Sequence, residues 1–206
     1  MKPGLIAIAG GSGAGKTWLA ELLQKRFGAR LSCFSLDHFY RDRSQLPEAR
    51  RSRINYDHPR AIDWELFEAV LDACRCGRPA RLPKYDFSTH QRLDATEPWI
   101  PTPLVVVEGL WVFRPQALRR AFNLKIFMEC PDYLRLQRRI DRDIRERGRR
   151  EIDVRRQFRL TVAPMHDRYI APQRKWADFI IESPPRREEL NIIFSSVELL
   201  FQEGME

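Results

Sequence analysis

The chain is 206 residues long, 43% apolar and 31% charged, with a formal net charge of +8. That length suits one α/β domain with room for a small insert. No apolar run approaches the roughly 20 residues that cross a bilayer, and the apolar start Leu5–Ala9 is too short for a cleavable leader, so a membrane partner is not expected.

The first predicted element is a buried strand over Lys2–Ala9, a short apolar run bounded by glycine. It runs into Gly10, Gly11, Ser12, Gly13, Ala14, Gly15, Lys16 and Thr17, which fit the pattern G-x-x-x-x-G-K-[ST]. Glycines at this spacing let backbone N–H groups curl round an anion. Lys16 would reach the β- and γ-phosphates, and Thr17 would ligate Mg²⁺. A helix over Lys16–Phe27, with Leu19, Leu22, Leu23 and Phe27 on one face, would aim its positive end at those phosphates. The loop therefore predicts a nucleoside triphosphate, ATP or GTP, with Mg²⁺.

A second strand is predicted over Leu31–Leu36, and Asp37 ends it. Phosphoryl transfer to a hydroxyl needs a carboxylate to accept or orient the proton, and the end of a strand beside the phosphate loop is the place for one. His38 is a rival base, expected to face solvent. Asp37–Arg60 is polar and lacks clean periodicity, so it reads as a functional loop with some helix. Asp63 caps a helix running to about Cys76, and Gly77, Arg78 and Pro79 stop it. Arg81–Ile100 reads as a β-hairpin insert, rich in aromatic and polar residues, with prolines at its edges.

Leu104–Val107 is a further strand and Glu108 ends it, where an acid would orient Mg²⁺ or its waters. Leu124–Met128 is the fourth strand. Pro131–Gly148 and Glu151–Ile170 are predicted helices, Phe179–Ile181 a short fifth strand, and Arg187–Phe201 a closing amphipathic helix. Between Arg135 and Arg159 there are eleven arginines against five acids, while the rest of the chain is close to balance. A single cluster favours a local anionic ligand over a nucleic-acid surface. The expected architecture is an α/β, P-loop NTPase-type three-layer fold. It has a five-stranded parallel sheet flanked by helices, a hairpin insert and an Arg-rich helical lid. The four cysteines have neither zinc spacing nor a CxxC pair and are expected as free thiols in a reducing cytosol.

The motifs occur in a recognisable order: the phosphate loop, then Asp37-His38-Phe39-Tyr40-Arg41, then Asn55-Tyr56-Asp57-His58-Pro59. Next come Pro83-Lys84-Tyr85-Asp86-Phe87 with His90 and Arg92, then Val107-Glu108-Gly109, and finally the run from Arg142 to Arg149. In this combination the chain resembles the uridine–cytidine kinase family, part of the phosphoribulokinase/uridine kinase group of P-loop proteins, from Ile6 to about Ile181. The resemblance implies one kinase domain over residues 1–206, with a hairpin acceptor insert at 81–102 and a lid at about 132–158. It makes Asp37 the catalytic base as well as a metal-side acid with Thr17 and Glu108, and places Arg142 with Lys16 in catalysis. It puts Tyr40 near the acceptor, gives Asp57 the ribose hydroxyls, and makes Tyr85 and His90 readers of a pyrimidine. Arg147 would contact the nucleotide, and Arg139, Arg149 and Gln157 the acceptor. Arg135 and Arg138 are the first of these arginines expected on a solvated face. The implied activity is phosphorylation of the 5′-hydroxyl of uridine or cytidine by a cytoplasmic enzyme, and the precedent leaves a homo-oligomer open.

The chain departs from the family pattern in two places. Arg60 stands where an acid usually follows the Asp-His-Pro turn, and Arg41–Arg53 is unusually basic. The alternative reading is a kinase of the same group acting on another riboside, a sugar phosphate or a vitamin precursor. A non-enzymatic or nucleic-acid-binding role has no supporting motif.

Overall fold

The computed structural model describes residues 2–51 and 53–203. Its centre is a parallel sheet of five strands: β1 (Gly4–Gly10), β2 (Leu31–Ser35), β5 (Leu104–Gly109), β6 (Leu124–Glu129) and β7 (Phe179–Glu182), in the order β2-β5-β1-β6-β7. The intervening strands β3 (Ala80–Asp86) and β4 (Gln91–Trp99) form a separate antiparallel pair. The five expected strands are all present. β1 begins at Gly4 rather than Lys2, and β2 stops at Ser35 because Leu36–Phe39 turns into a 3₁₀ helix.

The helices are α1 (Lys16–Phe27), α2 (Glu48–Arg51), α3 (Trp64–Arg75), α4 (Gln116–Arg119), α5 (Asp132–Arg147), α6 (Glu151–Gln157), α7 (Ala163–Met165) and α8 (Arg187–Glu203). The short α2 and α4 carry no periodic signal in the sequence. The stretch Glu151–Ile170 is helical as expected, but it is not one uniform α-helix. It contains two π-helical stretches, Phe158–Val162 and His166–Ile170, on either side of α7. Pro164, within α7, has no N–H to give to a regular ladder.

Strand alternation divides the core into two layers. Leu5, Ala7, Ala9, Val105, Val107 and Phe127 pack with Phe67, Val70 and Leu71 of α3 and with Trp111, Val112 and Phe113. Ile6, Ile8, Val106, Ile126 and Met128 face the other way, onto Leu19, Leu23 and Phe27 of α1 and Ile193, Val197 and Phe201 of α8. Both faces of β1 and β5 are thus covered, which is why Leu5–Ala9 and Leu104–Val107 are apolar at every position rather than at alternate ones.

The Asp63 cap on α3 forms as expected, its side chain accepting from the Leu66 N–H at 3.3 Å. The β3–β4 register shifts between Pro83 and Lys84, where proline has no N–H for the ladder. Among the described residues no helix is long and apolar enough to cross a membrane.

Candidate active site

The carboxyl ends of β1, β2 and β5 lie side by side, and each delivers one part of the site. β1 feeds the loop Gly10–Thr17. Ser35, the last residue of β2, is in register with Glu108 of β5. Beyond Ser35 the chain turns tightly, because the Ser35 hydroxyl accepts from the Asp37 N–H at 3.1 Å. Thr17 donates to Glu108 Oε1 at 3.4 Å. Lys16 Nζ donates to the Gly11 carbonyl at 3.0 Å. Burial lowers the pKa of Lys16, and Glu108 and Asp37 oppose that shift. Burial raises the pKa of Glu108, against the attraction of Lys16. Asp37 Oδ1 is buried with no hydrogen-bond partner among the described residues. A buried carboxylate oxygen left open in this way is fitted to accept from a hydroxyl or to face a cation.

The loop's glycines answer to packing as well as to anion binding. Gly13 has φ +81°, and a Cβ there would sit 2.5 Å from the Arg135 carbonyl oxygen of α5. Only glycine permits both the backbone conformation and that approach.

α5 brings its arginines to the mouth of the loop, and one buried carboxylate organises them. Asp143 is fully buried. Its Oδ1 accepts from Arg142 Nε at 2.9 Å and Nη2 at 2.8 Å, and its Oδ2 accepts from Arg149 Nη1 at 3.2 Å. Arg147 Nη1 and Arg139 Nε stand within ion-pair distance of the same carboxylate, at 3.4 and 3.6 Å. Burial alone would raise the pKa of Asp143, but Arg142, Arg139 and Arg147 outweigh it and hold the group below its usual range. Arg139 also donates to Ser12 at 3.0 Å and to Gln157 Oε1 at 3.1 Å, and Arg149 donates to the same oxygen at 2.7 Å. α5 ends in a left-handed Gly148, and the Arg149 N–H returns to the Asp143 carbonyl at 3.1 Å, which curls the chain so that Arg149 faces back into the site.

Opposite these cations stands the hairpin. Tyr85 packs against Tyr40 at 5.1 Å between ring centroids and against Phe87 at 5.3 Å. Tyr56 lies parallel to His90, 4.3 Å apart and 8° from coplanar. His90, in the turn just before β4, adopts φ +55°. Burial lowers its pKa, aided by Arg147 and Arg149, so the ring is neutral at pH 7 and can both donate and accept. Asp57 is buried 3.9 Å from Arg139. Burial raises its pKa and Arg139 opposes the rise. Arg147 sits 5.1 Å over the Phe87 ring, so the arginine segment and the hairpin touch.

Together these side chains enclose a cavity of about 260 Å³. It is lined by Ser12, Gly13, Gly15, Lys16 and Thr17 of the loop, by Asp37 and Glu108, and by Arg139, Arg142, Arg147, Arg149 and Gln157, with Tyr40, Asp57, Tyr85 and His90 on the acceptor side. Every residue given a site role in the sequence therefore lines this one cavity except Gly10, Gly11 and Ala14. Sequence reasoning missed Tyr56, Phe87, Leu110 and Arg138, which also line it. Tyr56 and Phe87 stand inside recognised motifs beside assigned residues, and that adjacency was the available signal.

Three expectations about orientation fail. Arg138 is not on a solvated face: it donates to the Ser183 hydroxyl at 2.8 Å and the Gly13 carbonyl at 3.2 Å. Arg135 is fully buried, placed 5.4 Å over the Phe158 ring and beside the loop. Both lie on the side of α5 that the glycine loop draws inward. His38 does not face solvent; its Nδ1 is 3.3 Å from the Pro83 carbonyl, tying the β2 turn to the hairpin.

The described architecture and motifs find relatives. The Phosphoribulokinase / Uridine kinase family profile matches residues 5–189. A curated uridine kinase from Chloroflexus aggregans is 39% identical over 202 residues, 97% of this chain and 97% of that protein. Another, from Lactobacillus helveticus, is 37% identical over 182 residues, covering 87% and 86%. Among solved structures, phosphoribulokinase from Rhodobacter spheroides aligns with a TM-score of 0.66 at 18% identity, covering 88% of this chain and 70% of the other. The last comparison speaks for the shared fold.

Proposed function

Because this chain belongs to the phosphoribulokinase/uridine kinase family, we propose that it transfers the γ-phosphate of ATP or GTP to the 5′-hydroxyl of uridine or cytidine. The observation that carries this reading is one cavity with two chemically distinct ends. One end holds Lys16, Thr17, Glu108 and the arginines gathered on Asp143. The other is an aromatic chamber of Tyr40, Tyr56, Tyr85, Phe87 and His90. Asp37 stands among them with an unengaged oxygen.

The donor set fits a triphosphate with Mg²⁺. Five arginines and a lysine line the cavity against three carboxylates, which suits a polyanion. Thr17 and Glu108 would hold the cation, with Asp37 alongside. Among the described residues no group of three His, Cys, Asp or Glu is placed to hold a metal unaided. A cation that keeps waters and phosphate oxygens in its shell needs no such group. The bound nucleotide supplies the phosphoryl group. The chain's own residues do the rest. Lys16 and Arg142 stabilise charge on the transferred group, and Arg147 faces the nucleotide. Asp37 takes or orients the hydroxyl proton. Asp57 hydrogen-bonds the ribose hydroxyls, and Arg139, Arg149 and Gln157 close over the acceptor. Tyr85 and His90 read a flat base, with Tyr56 backing the imidazole. The segment about Asp132–Phe158 acts as the lid, and residues 81–102 as the acceptor insert.

Arg41, Arg43 and Arg60, whose charge left room for a more anionic acceptor, do not line this cavity. Burial pushes the thiols of Cys33 and Cys74 up to about 12, which suits unreactive side chains in a reducing cytoplasm.

The test is an acceptor screen with ATP and Mg²⁺ across ribonucleosides, sugar phosphates and vitamin precursors. Turnover of uridine and cytidine well above every other acceptor is expected. Turnover confined to a sugar phosphate would replace the pyrimidine reading while keeping the kinase.

A further inference from the structure

Four of the basic residues that the active cavity does not use gather at a second place. Arg41 and Arg43, from the segment after β2, converge with Arg60, from the turn before α3, and with Arg114, from the segment after β5. They bound a separate open cleft of about 550 Å³, and among the described residues no carboxylate lines it. None of the four forms an ion pair among the described residues. Arg43 Nε is buried with no hydrogen-bond partner among the described residues. Two acids on the same stretch of chain are engaged elsewhere: Asp42 accepts from Ser44, and Asp63 pairs with Arg92 at 3.0 Å.

A solvated basic face does not need this arrangement. Arginines distributed over a convex surface keep their full hydration and stay apart. Here three separated chain segments bring like charges around one concavity, which raises their mutual repulsion unless an anion joins them. His58, also in the cleft wall, registers the uncompensated field. Its pKa is lowered by burial and then by Arg60, Arg114 and Arg168. Tyr169, with Pro59 and Trp64, supplies the rest of the wall: its hydroxyl is 3.0 Å from His58 Nε2, and Arg114 lies 4.7 Å over its ring.

We propose that this cleft is a second anion site, separate from the active cavity, which takes a small ligand carrying two or more phosphates. Forked guanidinium groups suit phosphate oxygens in pairs, and an open cleft of this size admits a polyphosphate with or without a sugar and base. The site is built into the acceptor side of the enzyme. His58 directly follows Asp57, which lines the active cavity, and the Arg41 N–H is bound to the Ala61 carbonyl at 2.8 Å.

The probe is inorganic tripolyphosphate, titrated calorimetrically into the protein while a non-hydrolysable ATP analogue and Mg²⁺ saturate the phosphate loop. One further equivalent is expected to bind. Arg60→Glu with Arg114→Glu, both at exposed positions, is expected to weaken that binding by more than about tenfold, the worth of one lost charge-assisted contact. Melting temperature and turnover without the probe should stay at their original values. Arg60→Gln with Arg114→Gln is the milder pair and decides the matter if charge reversal disturbs folding. A second arm replaces tripolyphosphate with uridine diphosphate. Equal affinity assigns the site to phosphates alone, and tighter binding of the diphosphate adds recognition of the nucleoside. Absence of any binding once the loop is saturated, or binding undiminished in both double variants, overturns the proposal.

Discussion

Arg139 and Ser12 lie 127 positions apart and meet through a 3.0 Å hydrogen bond. That contact ties the arginine helix to the phosphate loop, and the same arginine reaches Asp57 and Gln157. The loop, Asp57 and the arginine segment therefore share one side chain, and its position depends on Asp143 behind it.

Asp143→Asn should test that dependence. Removing one partner from a buried charge cluster costs about 3–5 kcal/mol, and here it leaves four arginines facing each other without their anion. The folded-state pKa of Asp143 lies below its ordinary 3.8. Its contribution is therefore complete above about pH 3.8 and fades as pH falls through the lower folded value. Urea unfolding of both proteins should show a wide gap at pH 7 that narrows below pH 4. A constant gap across that range would mean that the charge of Asp143 is not what stabilises the cluster.

Lys16→Ala should leave the fold intact and remove most turnover, by about 3–4 kcal/mol of transition-state stabilisation, as for other preorganised donors. Steady-state kinetics on protein with an unchanged melting curve provides the measurement. Near-normal turnover would refute the assignment of the loop.

Asp37→Asn keeps the shape of a side chain whose Oδ1 has no partner among the described residues and removes the proposed proton acceptor. A fall in kcat of about 10²–10⁴ is expected, with nucleotide KM nearly unchanged. If kcat stays within a few-fold, the proton goes elsewhere. His38 would be a poor substitute, because its Nδ1 is turned to the Pro83 carbonyl.

Tyr56→Leu and His90→Ala should act alike, because the two rings form one stack 4.3 Å apart. Each is expected to raise acceptor KM by about 1–3 kcal/mol while ATP KM barely moves. Separate KM values for uridine, cytidine and ATP decide it. An equal rise in ATP KM would place the stack outside the acceptor chamber.

Gly13→Ala should damage the site without touching a charged group. The methyl would meet the Arg135 carbonyl 2.5 Å away, on a backbone already at φ +81°. A loss of about 1–3 kcal/mol in stability is expected from the strain alone, with weakened nucleotide binding because α5 must move off the loop. Calorimetric melting and nucleotide titration would register both, and an unchanged melting temperature would contradict the packing account.

Local chemistry was enough to read the framework. Strands apolar at every position announced a sheet covered on both faces, the glycine spacing announced the phosphate loop, and acids at strand ends announced where Asp37 and Glu108 would stand. Those features depend on neighbours in the chain, so they are visible in one dimension. The direction of a side chain on a helix or loop depends on what packs against it from elsewhere. Arg135, Arg138 and Asp143 share one helix, and nothing in its periodicity distinguishes an arginine buried under the glycine loop from one in water, or a carboxylate that binds four arginines from a surface partner. The stack of Tyr56 on His90 joins residues 34 positions apart through a hairpin turn. The split of the basic excess between two cavities likewise followed from the tertiary structure alone, because charge along the chain does not say which way an arginine faces.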